Sequence, residues 1–93
     1  MFLVAEADGR VVGVIMGGFD GWRGAISRLA VEAAHQRQGI GRLLLDGVRV
    51  RFARNGIKVV GALVEKDHPW AMAYWEAVGF KLDPRFVLFT HGM

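Results

Sequence analysis

Apolar and polar positions along the 93-residue chain change period several times, and each change marks an element. Phe2, Val4 and the stretch from Val11 to Met16 are strand-forming, with Asp8-Gly9 between them. The tightest hairpin turn needs positive φ at both central positions, which Asp and Gly tolerate, so strands are predicted at about 2–7 and 10–18. GGFDGWRG then packs four glycines into eight residues, a loop or irregular strand end in which Trp22 is either exposed or folded back onto the core. AISRLAV, residues 25–31, alternates loosely and reads as a third strand. Beyond Gly39 the period becomes helical: Ile40, Leu44, Val48 and Phe52 recur every four residues, while Arg42, Asp46 and Arg49 share the other side and can pair along it. Asn55-Gly56 supplies a C-terminal stop, giving a helix over about 40–54. KVVGALVE, residues 58–65, has no polar alternation and reads as a central strand covered on both faces, parallel to the third. Pro69 opens a second helix that Gly79 ends, and KLDPRFVLFTHGM reads as one or two terminal strands interrupted by Pro84. The order β-β-β-α-β-α-β predicts an α/β fold: a mixed, mostly antiparallel twisted sheet around a central βαβ unit.

Composition narrows what such a domain does. At this length the chain makes one small domain, residues 1–93, and its 53% hydrophobic content predicts that it folds. Lys and Arg outnumber Asp and Glu by 12 to 9. The small positive excess suits a phosphorylated ligand. The basic residues are scattered, with no long run and no interleaved aromatics, so no nucleic-acid partner is predicted. Without cysteine, disulfides, thiolate catalysis and cysteine zinc sites are excluded. His35 and His91 have no partners at metal-ligand spacing, so no metal is predicted either. The opening MFLVAEADG has no basic leader and reaches Glu6 early, which predicts neither a signal peptide nor a membrane span and hence a cytoplasmic location.

The most informative stretch is HQRQGIGRLLL, residues 35–45. It is not a phosphate loop of the GxxxxGK type, and after Gly39 and Gly41 the third position of a dinucleotide fingerprint is occupied by Leu44. What remains is strand, loop, Gln36-x-x-Gly39-x-Gly41, helix. The first amides of a helix lack intrahelical partners and lie at the positive end of its dipole, and glycine lets a ligand approach them closely. A pyrophosphate suits such a row of amides, with Arg42 adding a charge-assisted contact. A plain glycine turn before a helix is the other reading of this stretch taken alone.

LAVEAAHQRQGIGRLLL resembles motif A of the GNAT superfamily of acetyl-CoA-dependent N-acetyltransferases, and HPWAMAYWEAVGF resembles motif B, with Ala71, Gly79 and Phe80 at matching spacing. The similarity covers roughly residues 1–90. It implies a GNAT-like acyl-CoA N-acyltransferase fold, shortened at its N-terminus, and acetyl-CoA as acyl donor. Backbone groups of Leu29, Ala30 and Val31 would then bind the pantetheine arm, and an amide there, that of Val31, would act as oxyanion donor. The loop from Gln36 through Arg37, Gln38, Gly39, Ile40 and Gly41 to Arg42 would take the pyrophosphate, with the Gln36 side chain either contacting it or stabilising the loop.

Departures from the pattern carry as much information. His68 stands where motif B often has Asn, and either hydrogen-bonds to the cofactor or only starts the helix. Trp75 stands at the position of the tyrosine that protonates the leaving thiolate; an indole cannot supply that proton, although Trp75 still lines the cofactor site. Tyr74, the nearest phenol, is the remaining candidate for the catalytic acid, but one residue turns a helix by about 100°, which favours a core position for it. At the positions expected for a general base the chain has Ala25 and Leu63. Glu65 is then the best remaining candidate for the base, ahead of Glu32, Asp67 and His68, with surface solvation or capping as the plainer role of each.

The family usually begins with a strand and one or two helices that wall the acceptor site, whereas this sequence begins at MFLVAEA. The resemblance therefore implies exposed apolar surface, covered by a second copy in a homodimer or, in a longer chain, in cis. Two functions follow: acetyl transfer to a small-molecule or peptide amine, or a coenzyme A-binding module that has lost efficient chemistry and acts as a sensor or protein partner.

Overall fold

Asp8 and Gly9 adopt positive φ, 54° and 76°, and turn β1 (Phe2–Ala7) back on β2 (Arg10–Phe19) as an antiparallel hairpin. This is a computed structural model, and it describes residues 1–92. β3 (Gly24–Val31) pairs antiparallel with β2, and β4 (Val60–Ala62) pairs parallel with β3, giving a four-stranded mixed sheet in the order β1-β2-β3-β4. A single turn of 3₁₀ helix at Ala33–His35 and α1 (Ile40–Arg54) connect β3 to β4, and α2 (Pro69–Ala77) follows. The expected βαβ unit is present.

α1 crosses one face of the sheet. Its Leu44, Leu45, Val48 and Phe52 meet Ile15 of β2 and Ile26 of β3 in the core. Leu45 joins the stripe because a period of 3.6 drifts off a strict every-fourth pattern. β1 obeys the period of two: Leu3, Ala5 and Ala7 are half-buried, and Phe2, Val4 and Glu6 between them are exposed. Gly24 is required by the packing, since a Cβ there would stand 2.8 Å from the Phe52 ring. At the helix end Gly56, with φ 74°, lets the Ile57 N–H reach back to the Phe52 carbonyl at 3.0 Å. Arg49 pairs with Asp46 at 3.7 Å and donates to the Val78 carbonyl at 3.0 Å, which ties α1 to the end of α2.

Two expectations are corrected, and the open choice at Trp22 is decided. β4 is a three-residue edge strand rather than a long central one, and Leu63 just beyond it is 66% exposed. The apolar run from Val59 to Leu63 has strand chemistry, but only a neighbour makes a ladder, and β3 offers one for three residues. Among the described residues no terminal strand follows α2; residues 80–92 lack a pairing partner. Trp22 does not enter the core: it is 70% exposed, stacks with the Arg23 guanidinium at 4.1 Å and meets Phe86 edge-on at 6.1 Å. Among the described residues no helix is long and apolar enough to cross a membrane.

Candidate active site

The site begins with a miscount in β3. Its first residues face β4: the Gly24 N–H donates to the Val59 carbonyl at 2.9 Å, and the Ile26 carbonyl accepts from the Leu63 N–H at 3.2 Å. Between Ile26, opposite Gly17, and Arg28, opposite Met16, the register slips by one, and Ser27 is the extra residue; its hydroxyl donates to the Met16 carbonyl at 3.4 Å. Past this bulge the edges exchange. Glu32 donates to the Val12 carbonyl at 2.7 Å, so the alternation turns the backbone of Ala30 toward β2 and that of Leu29 and Val31 to the other edge. There β3 has no strand partner, because the β3–β4 ladder stops at Ile26 opposite Ala62.

The two strands therefore splay, and an open cleft of about 730 Å³ fills the gap. Ser27, Arg28, Leu29 and Val31 form one wall and Leu63, Val64 and Glu65 the other. Residues of α2 close one side, and the loop from His35 to Arg42 closes the far end.

That loop is held by its own side chain: Gln36 Nε2 donates to the Val31 carbonyl at 3.0 Å. Of the two roles expected for Gln36, stabilising the loop is the one seen. Arg37 and Gly39 both take positive φ, 64° and 83°, and Gly39 starts α1 without a capping side chain. The first amide to bond back into the helix is that of Leu43, to the Gly39 carbonyl at 3.0 Å. The amides from Arg37 through Arg42 find no protein acceptor among the described residues, and the first turn holds no acidic residue. Free amides, the positive end of a 15-residue helix and two arginines make this end of the cleft a polyanion seat.

On the opposite wall, Pro69 begins α2 and His68 caps it, Nδ1 accepting from the Ala71 N–H at 3.1 Å. His68 thus starts the helix and also lines the cleft. Trp75 packs edge-on against Phe80 at 4.9 Å, on the rim of the core, and faces the cleft with its remaining surface. Tyr74 is not a core residue. It is half-buried in the cleft wall, and its hydroxyl, enclosed without a hydrogen-bond partner, would lie 3.1 Å from a Cβ placed on Gly41. Burial raises the Tyr74 pKa above the ordinary phenol value, with Arg42 and Arg49 partly offsetting it. The phenol keeps its proton and points at the anion loop.

The acidic candidates separate. Glu32 is bound by Arg10 at 2.7 Å, which holds its carboxyl below the usual range, and His35 stands 3.7 Å away. Glu65 lines the cleft and takes part in no ion pair among the described residues. Asp67 is exposed and is not part of the lining. Sequence reasoning did not single out Ser27, Arg28 or Trp70, all of which line the cleft. A bulge leaves no compositional mark by which they are found.

The sequence matches the model of the acetyltransferase (GNAT) family over residues 1–80. The chain belongs to the GNAT acetyltransferase family. Its two motif-like stretches face each other across the cleft, motif A as the anion loop and motif B as α2. Solved structures agree in fold. An aminoglycoside acetyltransferase from an uncultured soil metagenomic sample superposes with a TM-score of 0.82 at 21% identity, covering 99% of this chain and 64% of its own. An integron cassette protein from the mobile metagenome of V. cholerae gives 0.85 at 17%, covering 99% and 60%. The PaiA N-acetyltransferase of Thermoplasma acidophilum, solved with coenzyme A, gives 0.85 at 23%, covering 89% and 52%. This GNAT chain thus spans less than two thirds of the length of each of these three structures.

Proposed function

We propose that the chain is an acetyl-CoA-dependent N-acetyltransferase in which a primary amine attacks directly within a ternary complex. The carrying observation is the continuity of the cleft: the unpaired β3 edge at Leu29 and Val31 runs straight into the free amides of Arg37 to Arg42. A molecule with an amide-bearing arm and a pyrophosphate fits both parts at once. Bound there, acetyl-CoA supplies an activated acetyl thioester.

The protein's own residues do the rest. The loop amides, with Arg37 and Arg42, hold the phosphates, and the Leu29 and Val31 backbone orients the arm, the Val31 N–H donating to the developing oxyanion. His68 and Trp75 line the side of the cleft formed by α2. Glu65, the carboxylate in the lining, takes the proton from the attacking amine, directly or through water. No residue is needed to protonate the departing thiolate, since a thiol with a pKa of about 8.5 leaves readily near neutral pH. As part of the same proposal, a second copy covers the outer sheet face, where Phe2 and Val4 are 59% and 43% exposed.

The second reading, a coenzyme A-binding module without efficient transfer, is favoured by one observation: Trp75 occupies the tyrosine position while the Tyr74 hydroxyl is turned to Gly41. Calorimetric titration with acetyl-CoA, followed by thiol release against a panel of amines, separates the two. The enzyme reading expects amine-dependent release that falls about 10² to 10⁴ in kcat on Glu65→Gln, with acetyl-CoA affinity retained. Binding without release leaves the module; failure to bind removes both.

A further inference from the structure

We infer that the acceptor is an amine carrying its own carboxylate, an α-amino acid or a compound of that form, and that Arg28 is the residue that selects it. The inference rests on the acetyl-transfer reading and adds the substrate class. Arg28 follows the bulge residue directly, two positions past the last β3–β4 rung at Ile26, and lines the cleft where the two strands begin to part. Glu65, three positions past the last rung at Ala62, lines the same cleft from the side that continues β4. Among the described residues neither charge is in an ion pair, so both are available to a ligand.

The charges are specific in kind. Glu65 is the one carboxylate among the described residues of the lining, and Arg37 and Arg42 stand at the phosphate end. A polycationic amine would meet a single carboxylate and an opposing guanidinium. A zwitterion matches both walls: its ammonium faces Glu65 and its carboxylate takes the planar fork of Arg28, a geometry suited to two parallel hydrogen bonds. The pleat supports this placement. Arg28 stands in the cross-strand row Phe2, Met16, Arg28, on the sheet face away from α1, whereas the anion loop leads into α1 itself.

The test compares phenylalanine with phenylalaninamide, which keep the amine and differ in the carboxylate, and adds spermidine as a polycation. Kinetics of acetyl transfer by the wild type are expected to favour the acid over the amide by about tenfold to a hundredfold in kcat/KM, chiefly through KM, with spermidine the poorest. Arg28→Gln should bring acid and amide to parity, and Arg28→Lys should restore part of the preference. A wild-type preference for the amide or for spermidine overturns the inference without reference to any variant, as does an acid preference that survives Arg28→Gln. Acetyl-CoA binding with no transfer to any of the three overturns the transfer reading on which the inference stands, a result distinct from transfer with the wrong preference.

Discussion

Gly41 shows how one residue is fixed by two neighbours. Its glycine identity was legible as a condition for close approach of an anion to backbone amides. The structure adds that a Cβ there would stand 3.1 Å from the Tyr74 hydroxyl. Gly41→Ala is therefore expected to weaken acetyl-CoA binding by about tenfold, close to 1.4 kcal/mol, and Tyr74→Phe in the same chain to recover much of the loss by removing the contact. Isothermal titration of the wild type and the two variants checks this; equal affinities in Gly41→Ala and the double variant would show that the anion alone sets the requirement. Tyr74 was the residue least legible in advance. A 100° turn separates it from Trp75, but α2 meets the cleft and the core along a seam, so both side chains reach the seam and each leans to its own side. Gln36 and His68 each make the local contact that was one of the two roles open to them, Gln36 to Val31 and His68 to Ala71, with partners within five positions.

Elements whose partners are near in sequence matched their predicted bounds closely. The hairpin, β3 and α1 depend on a turn, an alternation and a 3.6 period, all written locally. β4 and the C-terminal stretch did not match, because strand chemistry becomes a strand only where another strand offers its edge, and period says nothing of that. The C-terminal stretch is held by side chains instead. Arg85 grips Asp83 with two charge-assisted bonds of 2.8 and 3.0 Å, and Phe86 stacks under Arg23 at 4.7 Å beside Trp22. The Arg85 grip holds the Asp83 carboxyl at about 2, below its ordinary 3.8. A depressed folded pKa means that the contribution is complete above the ordinary value and is lost as pH falls through the folded one. Titration of the Asp83 carboxyl carbon by NMR should thus give a midpoint near pH 2, with the tether intact at pH 4. A midpoint at the ordinary value would show that the grip does not hold in solution.

At the scale of the whole molecule, one helix covers one face of the sheet, and the other presents Phe2, Val4 and Met16 to solvent, with Phe19 at the end of β2. The proposed dimer buries this face, and stable association of that kind needs more than about 1,000 Å² in total. Sedimentation velocity is expected to give twice the chain mass of 10.3 kDa, and Phe2→Ser with Met16→Ser to return it to one. A monomer at all concentrations would remove the dimer from the proposal and leave the cleft as it stands. The cleft itself follows from arithmetic along β3. A strand serves its two neighbours by turns, odd residues to one and even to the other, and Ser27 is the surplus that breaks the turn-taking. Because of it, the residues that turn their backbone to the β4 side change from even to odd, from Gly24 and Ile26 to Leu29 and Val31, and beyond Ala62 no strand meets them. The opening beside β3 is, on this view, the remainder of a division by two.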